Sequence, residues 1–187
     1  MSSRVAGVPE HEAGPLVCAS YAYTKRQYGK LLEPLAVSAH SRPVMIGMGG
    51  FELALDRANR VPDRLKALGE LKAALLAGCD FCMDIGSWIA RGHGITEAEL
   101  RAIGDYRDSD LFSELDRLVI DYAAGVTATP VDVSDELFAK LREHLDEAQL
   151  VELTAAIAWE NWRARFNWAL GIESQNFSEG SYCVRPE

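Results

Sequence analysis

The sequence predicts an all-α protein, and three observations carry that prediction. Asp146–Leu170 is the longest apolar-periodic stretch and is closed by Gly171, and apolar residues recurring every three or four positions mark an amphipathic helix. Helix-start signals recur: Thr96 and Glu99 form a capping box, and Ser134 is followed by Asp135 and Glu136, which suit the positive end of a helix. No two alternating apolar–polar runs are joined by a turn, so no strand pair is expected.

The elements follow in order. Residues 1–15 are spotted with Gly and Pro and are expected to be poorly ordered. A helix begins near Leu16, where Leu16, Ala19, Tyr23 and Gln27 fall on adjacent turns. Tyr21, Tyr23 and Tyr28 lie beside Lys25, Arg26 and Lys30, which reads as a half-buried aromatic helix whose cations reach out to water. Leu31–Ala39 continues as helix, with Pro34 acceptable in a first turn. Ser41-Arg42-Pro43 interrupts, and Val44–Arg60 is helical despite Gly47, Gly49 and Gly50. Those glycines lack the preceding strand and the GK[ST] ending of a phosphate loop, so close helix packing is their expected role.

Pro62-Asp63 opens a central helix from Arg64 to about Ala77, Gly78 breaks it, and Cys79–Arg91 follows on a new axis until Gly92-His93-Gly94. Leu111–Gly125 is helical, Thr127–Val133 is a loop around Pro130, and Ser134 caps a helix to about Leu145. The tail from Glu173 reads as irregular.

With 187 residues, one all-α domain over 1–187 is expected, with its central region at 60–125. A net charge of −9 argues against nucleic acid as a partner, because phosphate binding needs a concentrated basic face. No apolar run reaches the ~20 residues that span a bilayer, and residues 1–20 show no secretory signal. The expected location is cytoplasmic.

The chemistry centres on Cys79-Asp80-Phe81-Cys82. Two thiols one helical turn apart can close a disulfide with little backbone movement. Gly78 places them at a helix start, whose positive end lowers a thiol pKa and favours the reactive thiolate. Zinc would need more sulfur or imidazole ligands; only His93, at the far end of the same helix, is near in sequence, so no metal is expected. Two buried structural cysteines are the plain alternative. Cys18 and Cys183 read as bystanders, although a bridge between the two chain ends is conceivable on sequence. Glu70 lies nine residues before Cys79 among Leu68, Leu71, Ala73, Ala74 and Leu75. Hydrocarbon around a carboxylate raises its pKa and makes it a usable proton acceptor; a surface Glu paired with Lys66 or Lys72 is the competing reading. Asp80 and Asp84 read as first-turn helix stabilisers.

The run Leu65–Ile95, with Glu70, Leu76, Gly78-Cys79-Asp80-Phe81-Cys82, Asp84 and Gly94-Ile95, resembles the carboxymuconolactone decarboxylase family, which includes the alkyl hydroperoxidase D-like proteins. The resemblance implies a homo-oligomeric helical bundle of the alkyl hydroperoxidase D-like type, with the CxxC at the start of a central helix; the sequence itself carries no flavin or haem signature, so no cofactor is expected. In the peroxidase branch a hydroperoxide oxidises one cysteine, the other closes the disulfide, and a lipoylated or thioredoxin-like protein reduces it. Because that branch's proton relay lies closest to the second cysteine, the resemblance implies Cys82 as the peroxide-reactive thiol and Cys79 as its more exposed partner. The decarboxylase branch acts on a lactone without this pair. Two departures stand out. The relay His, four residues after the second cysteine, is Gly86, and the relay Glu, twelve before the first, is Ala67. The expectation is a peroxidase of low rate, or a site for another disulfide or electrophile.

A second constellation is Glu160, Arg163 and Asn167, which share one face of the C-terminal helix, with Asn161 and Arg165 on another. Set among Trp159, Trp162, Phe166 and Trp168, they read either as a buried packing network or as a pocket for an acidic small molecule, with Arg163 or Arg165 for its carboxylate. A lyase or isomerase using that arginine face, and a non-catalytic interaction protein, are the alternatives to a thiol enzyme.

Overall fold

Gly78 adopts a left-handed conformation (φ 71°, ψ 31°), which a residue with a Cβ enters only at a cost. It ends one helix and turns the chain so that the next begins two residues later. A computed structural model describes residues 3–178. Among these, every regular element is helical: α1 (Pro15–Tyr28), α2 (Glu33–Ser38), α3 (Arg42–Leu55), α4 (Asp63–Ala77), α5 (Asp80–Gly92), α6 (Glu97–Ala102), α7 (Glu114–Thr127), α8 (Asp135–Arg142) and α9 (Glu147–Leu170), with short 3-10 turns at Glu10–Glu12 and Tyr106–Asp108. None of these helices is long and apolar enough to cross a membrane.

The described chain forms two compact units. The first takes in residues up to Arg57 together with Ala169–Ile172; the second comprises Ala58–Trp168 and the residues from Glu173.

In the first unit, Val17, Tyr21, Ala36, Ala39 and Met45 make the core. The leader is tied down where the sequence suggests disorder: the Arg4 amide donates to the Leu170 carbonyl (2.8 Å) and the Val8 amide to Ala36 (2.9 Å). The Tyr21 hydroxyl donates to the Val8 carbonyl, and burial pushes its pKa up, helped by the Cys18 and Glu10 charges. Helix α3 ends at Leu55, five residues short of the expected Arg60. It buries Met45 alone, and a Cβ at Gly47, Gly49 or Gly50 would meet nothing within 4 Å. Close packing against the described residues therefore does not explain those glycines. Cys18 is exposed, and Cys183 lies outside the described residues.

In the second unit, α4 packs against α5 and α7, and α7 against α8. Leu65, Val119, Leu141, Leu150, Leu153 and Ile157 anchor the core. Gly69 allows α9 to approach α4 closely, since a Cβ there would stand 3.0 Å from the Ile157 side chain. The Glu152 carboxylate of α9 accepts the Arg60 and Val61 amides (2.9 and 3.1 Å), which holds the chain ahead of α4 out of helix. Its pKa is lowered: burial pushes it up, but these amides and Lys66 outweigh that. The expected capping box at Thr96 is present. A second, Ser113 with Asp116, starts α7 three residues later than expected. Arg64 joins Glu99 and Asp116, donating to Asp116 at 3.1 and 3.2 Å. Burial raises both acids, and Arg64 with the capping hydrogen bonds more than reverses this, so both pKa values lie below the ordinary range.

Candidate functional site

Cys79 is the N-cap of α5, and its sulfur accepts the Cys82 backbone N–H at 3.2 Å. The structure pairs the two cysteines as a disulfide with Cα atoms 5.2 Å apart, within the usual span of such bridges. Both are buried, Cys79 at 2% and Cys82 at 5% exposure, so Cys79 is not the more exposed partner. The N-cap position explains this, since the Cys79 sulfur folds over the first turn of its own helix.

The third member comes from the far end of the chain. Asn167 on α9 is 2% exposed, and its side-chain nitrogen lies 3.4 Å from the Cys82 sulfur and 3.8 Å from that of Cys79. One turn earlier, Arg163 donates to Glu70 on α4 at 2.8 Å and pairs with Glu160 at 2.7 Å. The two constellations that the sequence shows separately thus meet. Glu160, Arg163 and Asn167 form one helix face that carries its amide to the sulfurs and its guanidinium to Glu70.

Glu70 differs from its expected surroundings. Its side chain is 30% exposed and is paired with Arg163, not enclosed by hydrocarbon. Lys66 is bound to Asp63 and Glu152. Arg165 faces away from this set: it donates to Asn161 on its own helix and to Thr127 and Thr129, where it ties α9 to the end of α7.

Asp84 is not a first-turn stabiliser. Fully buried, it accepts the Ser174 hydroxyl (2.7 Å) and the Phe177 and Ser178 amides (3.0 and 2.8 Å). Arg91 adds a hydrogen bond to the Ser178 hydroxyl. Phe177 meets Phe81, between the two cysteines in sequence, edge to face at 6.3 Å, and Trp88 at 6.2 Å. Residues 174–178 therefore lie as a strap along α5, with no helical or strand signal to announce them. Position 86, where the resemblance implies a relay His, faces α4: a Cβ on Gly86 would stand 3.3 Å from Leu71 Cδ2. Ala67, at the relay Glu position, is buried. An apolar groove of about 360 Å³, lined by Phe138, Leu150, Val151, Thr154, Ala155 and Ala158, opens between α8 and the first half of α9. Asn167 lies more than two turns further along α9.

A helical scaffold with a dithiol at a buried helix start is the class that fold and site define together. The chain belongs to the carboxymuconolactone decarboxylase family, whose model matches residues 44–130. It is 33% identical over 183 residues to the uncharacterized protein YnjA of Escherichia coli (strain K12), covering 97% of this chain and 98% of that one. Among solved structures, the debrominase Bmp8 in complex with 2,3,4-tribromopyrrole superposes with a TM-score of 0.84 at 20% identity, covering 97% and 96% of the two chains. An alkylhydroperoxidase AhpD core, the peroxidase-related protein from Ralstonia eutropha JMP134, does so with a TM-score of 0.84 at 15% identity, covering 98% of each. At those identities the likeness establishes an AhpD-like fold.

Proposed function

We propose that this chain is a thiol-dependent oxidoreductase that cycles Cys79 and Cys82 between dithiol and disulfide, with a hydroperoxide or a disulfide as substrate. The observation that carries the reading is the position of Cys79. Its sulfur caps a helix, accepts a backbone N–H and lies within bonding reach of the next cysteine. That arrangement stabilises thiolate.

In this reading the Cys82 thiolate attacks the terminal oxygen of a hydroperoxide. The O–O bond breaks, Cys82 becomes a sulfenic acid, and the departing alkoxide takes a proton to leave as an alcohol. Cys79, held as thiolate by the helix start, attacks the Cys82 sulfur and displaces hydroxide, which leaves as water. The pair has then given up two electrons, and a dithiol reductant of the thioredoxin-like or lipoylated kind returns them. Glu70 is the candidate acceptor for the thiol proton. Its carboxylate is paired with Arg163, so it would carry a thiol proton only transiently.

The lyase alternative asks for an arginine available to a substrate carboxylate. Arg163 is shared by two carboxylates and Arg165 is bound to Asn161, Thr127 and Thr129, so we favour the thiol chemistry. The test is consumption of an organic hydroperoxide coupled to dithiothreitol. Turnover that vanishes in Cys79→Ser and in Cys82→Ser supports the reading. An activity on a small acidic substrate that survives both substitutions would transfer it to the lyase class.

A further inference from the structure

Among the described residues, the Asn167 carboxamide meets the two sulfurs. Its nitrogen reaches both of them. Its oxygen is buried without a hydrogen-bond partner among the described residues. Leaving a buried carbonyl without a donor is costly, so the paired-sulfur state carries an unmet demand. A disulfide has no hydrogen to offer that oxygen. A thiol has one.

We propose that Asn167 is a catalytic residue of the dithiol cycle, resting on the oxidoreductase reading, and that its amide favours the reduced pair in its half-ionised form. Nδ2 donates to the thiolate, and Oδ1 accepts the S–H of the protonated partner. The disulfide offers the same amide only weak sulfur acceptors and no donor. The amide thus matches one thiolate and one thiol better than it matches the bridge. On reduction by a small dithiol, the S–S bond breaks and two electrons pass to the sulfurs of Cys79 and Cys82. One sulfur keeps a proton, the other stays a thiolate, the reductant becomes a disulfide, and one proton is released to solvent.

The placement has a structural cause. Asn167 shares its helix face with Glu160 and Arg163, so the Arg163–Glu70 pair fixes the rotation of α9 about its axis and aims residue 167 at the start of α5. The charged groups on the elements that meet here include Glu70 and Lys72 on α4, Asp80, Asp84 and Arg91 on α5, and Glu160, Arg163 and Arg165 on α9. Asp84 is committed to the strap. None of these changes when residue 167 alone is altered.

The test compares the protein with its Asn167→Leu and Asn167→Asp variants, all carrying Cys18→Ser and Cys183→Ser. Two quantities are read: thiolate ultraviolet absorbance against pH after reduction, and the dithiol–disulfide ratio at equilibrium with dithiothreitol, by mass. Hydrogen bonds to charged groups predict that Asn167→Leu raises the lower thiol pKa by about one unit and shifts the equilibrium about tenfold toward disulfide. Asn167→Asp, closest in shape to the native residue, adds a negative charge and shifts both at least as far. Should the Leu variant fold poorly, the Asp variant carries the test. Titration and equilibrium within twofold of the parent in a folded variant would overturn the proposal. A parent protein that titrates as predicted but shows no hydroperoxide turnover would leave the role of Asn167 standing and remove the peroxidase reading.

Discussion

The Asn167 amide nitrogen lies 3.4 Å from the Cys82 sulfur, across 85 positions of sequence. That proximity makes one site of the CxxC at the start of α5 and the polar face of α9. Several consequences can be measured.

The two cysteines are expected to behave differently. Cys79→Ser leaves the Cys82 sulfenic acid without a resolving thiol, so a sulfenic-acid trap should label Cys82 in that variant after hydroperoxide. Cys82→Ser should give little trapped product, because the Cys79 sulfur is turned onto its own helix start. Equal trapping at both positions contradicts the assignment.

Glu70→Gln keeps the shape and a hydrogen-bond acceptor for Arg163 but removes the charge. General-base contributions of about a hundredfold or more would be discounted here by the Arg163 pairing, so hydroperoxide turnover should fall about tenfold. The melting temperature should change little. Unchanged turnover removes Glu70 from the proton path.

Asp84→Ala leaves the Ser174 hydroxyl and two backbone amides facing a buried gap. With charge-assisted bonds at about 1.5–3 kcal/mol each and some recovery through water, a loss of about 3 kcal/mol is expected. Denaturant unfolding measures that loss. Amide hydrogen exchange should quicken at Phe177 and Ser178 while the α4 core stays protected; uniform exchange across both would count against a local strap.

Glu99 and Asp116 titrate below the ordinary carboxylate range because Arg64 and their capping bonds outweigh burial. Their folded pKa values lie below the unfolded ones. The stability they contribute is therefore complete above about pH 5 and is lost as pH falls through the folded values. Arg64→Met strands two buried acids and should cost about 2 kcal/mol at neutral pH, discounted for the partial exposure of Arg64. It should also flatten the acid side of the melting-temperature profile. Parallel profiles for parent and variant would show that this pairing does not set the pH dependence.

Local signals made the fold legible. Gly78, the Thr96–Glu99 box, Ser134 and Gly171 mark helix boundaries in the sequence, and each acts within a few residues of itself. The errors arise where a distant group decides. The stretch after α3 leaves helix because Glu152, about ninety residues on, takes the Arg60 and Val61 amides. Asp84 reads as a helix-start acid because its real partners, Ser174, Phe177 and Ser178, lie just as far away. The thiols and the Glu160–Arg163–Asn167 face are each visible by spacing. Their meeting depends on how α9 packs against α4, and residues such as Gly69 and Ile157 do not reveal that in one dimension.

The most direct test of the central claim is intact mass measurement of the fully reduced protein after one equivalent of organic hydroperoxide, with the cysteines mapped by digestion. The account predicts the loss of two hydrogens and a Cys79–Cys82 bridge, with the alcohol formed in equal amount. A pair that stays reduced while hydroperoxide persists would contradict it.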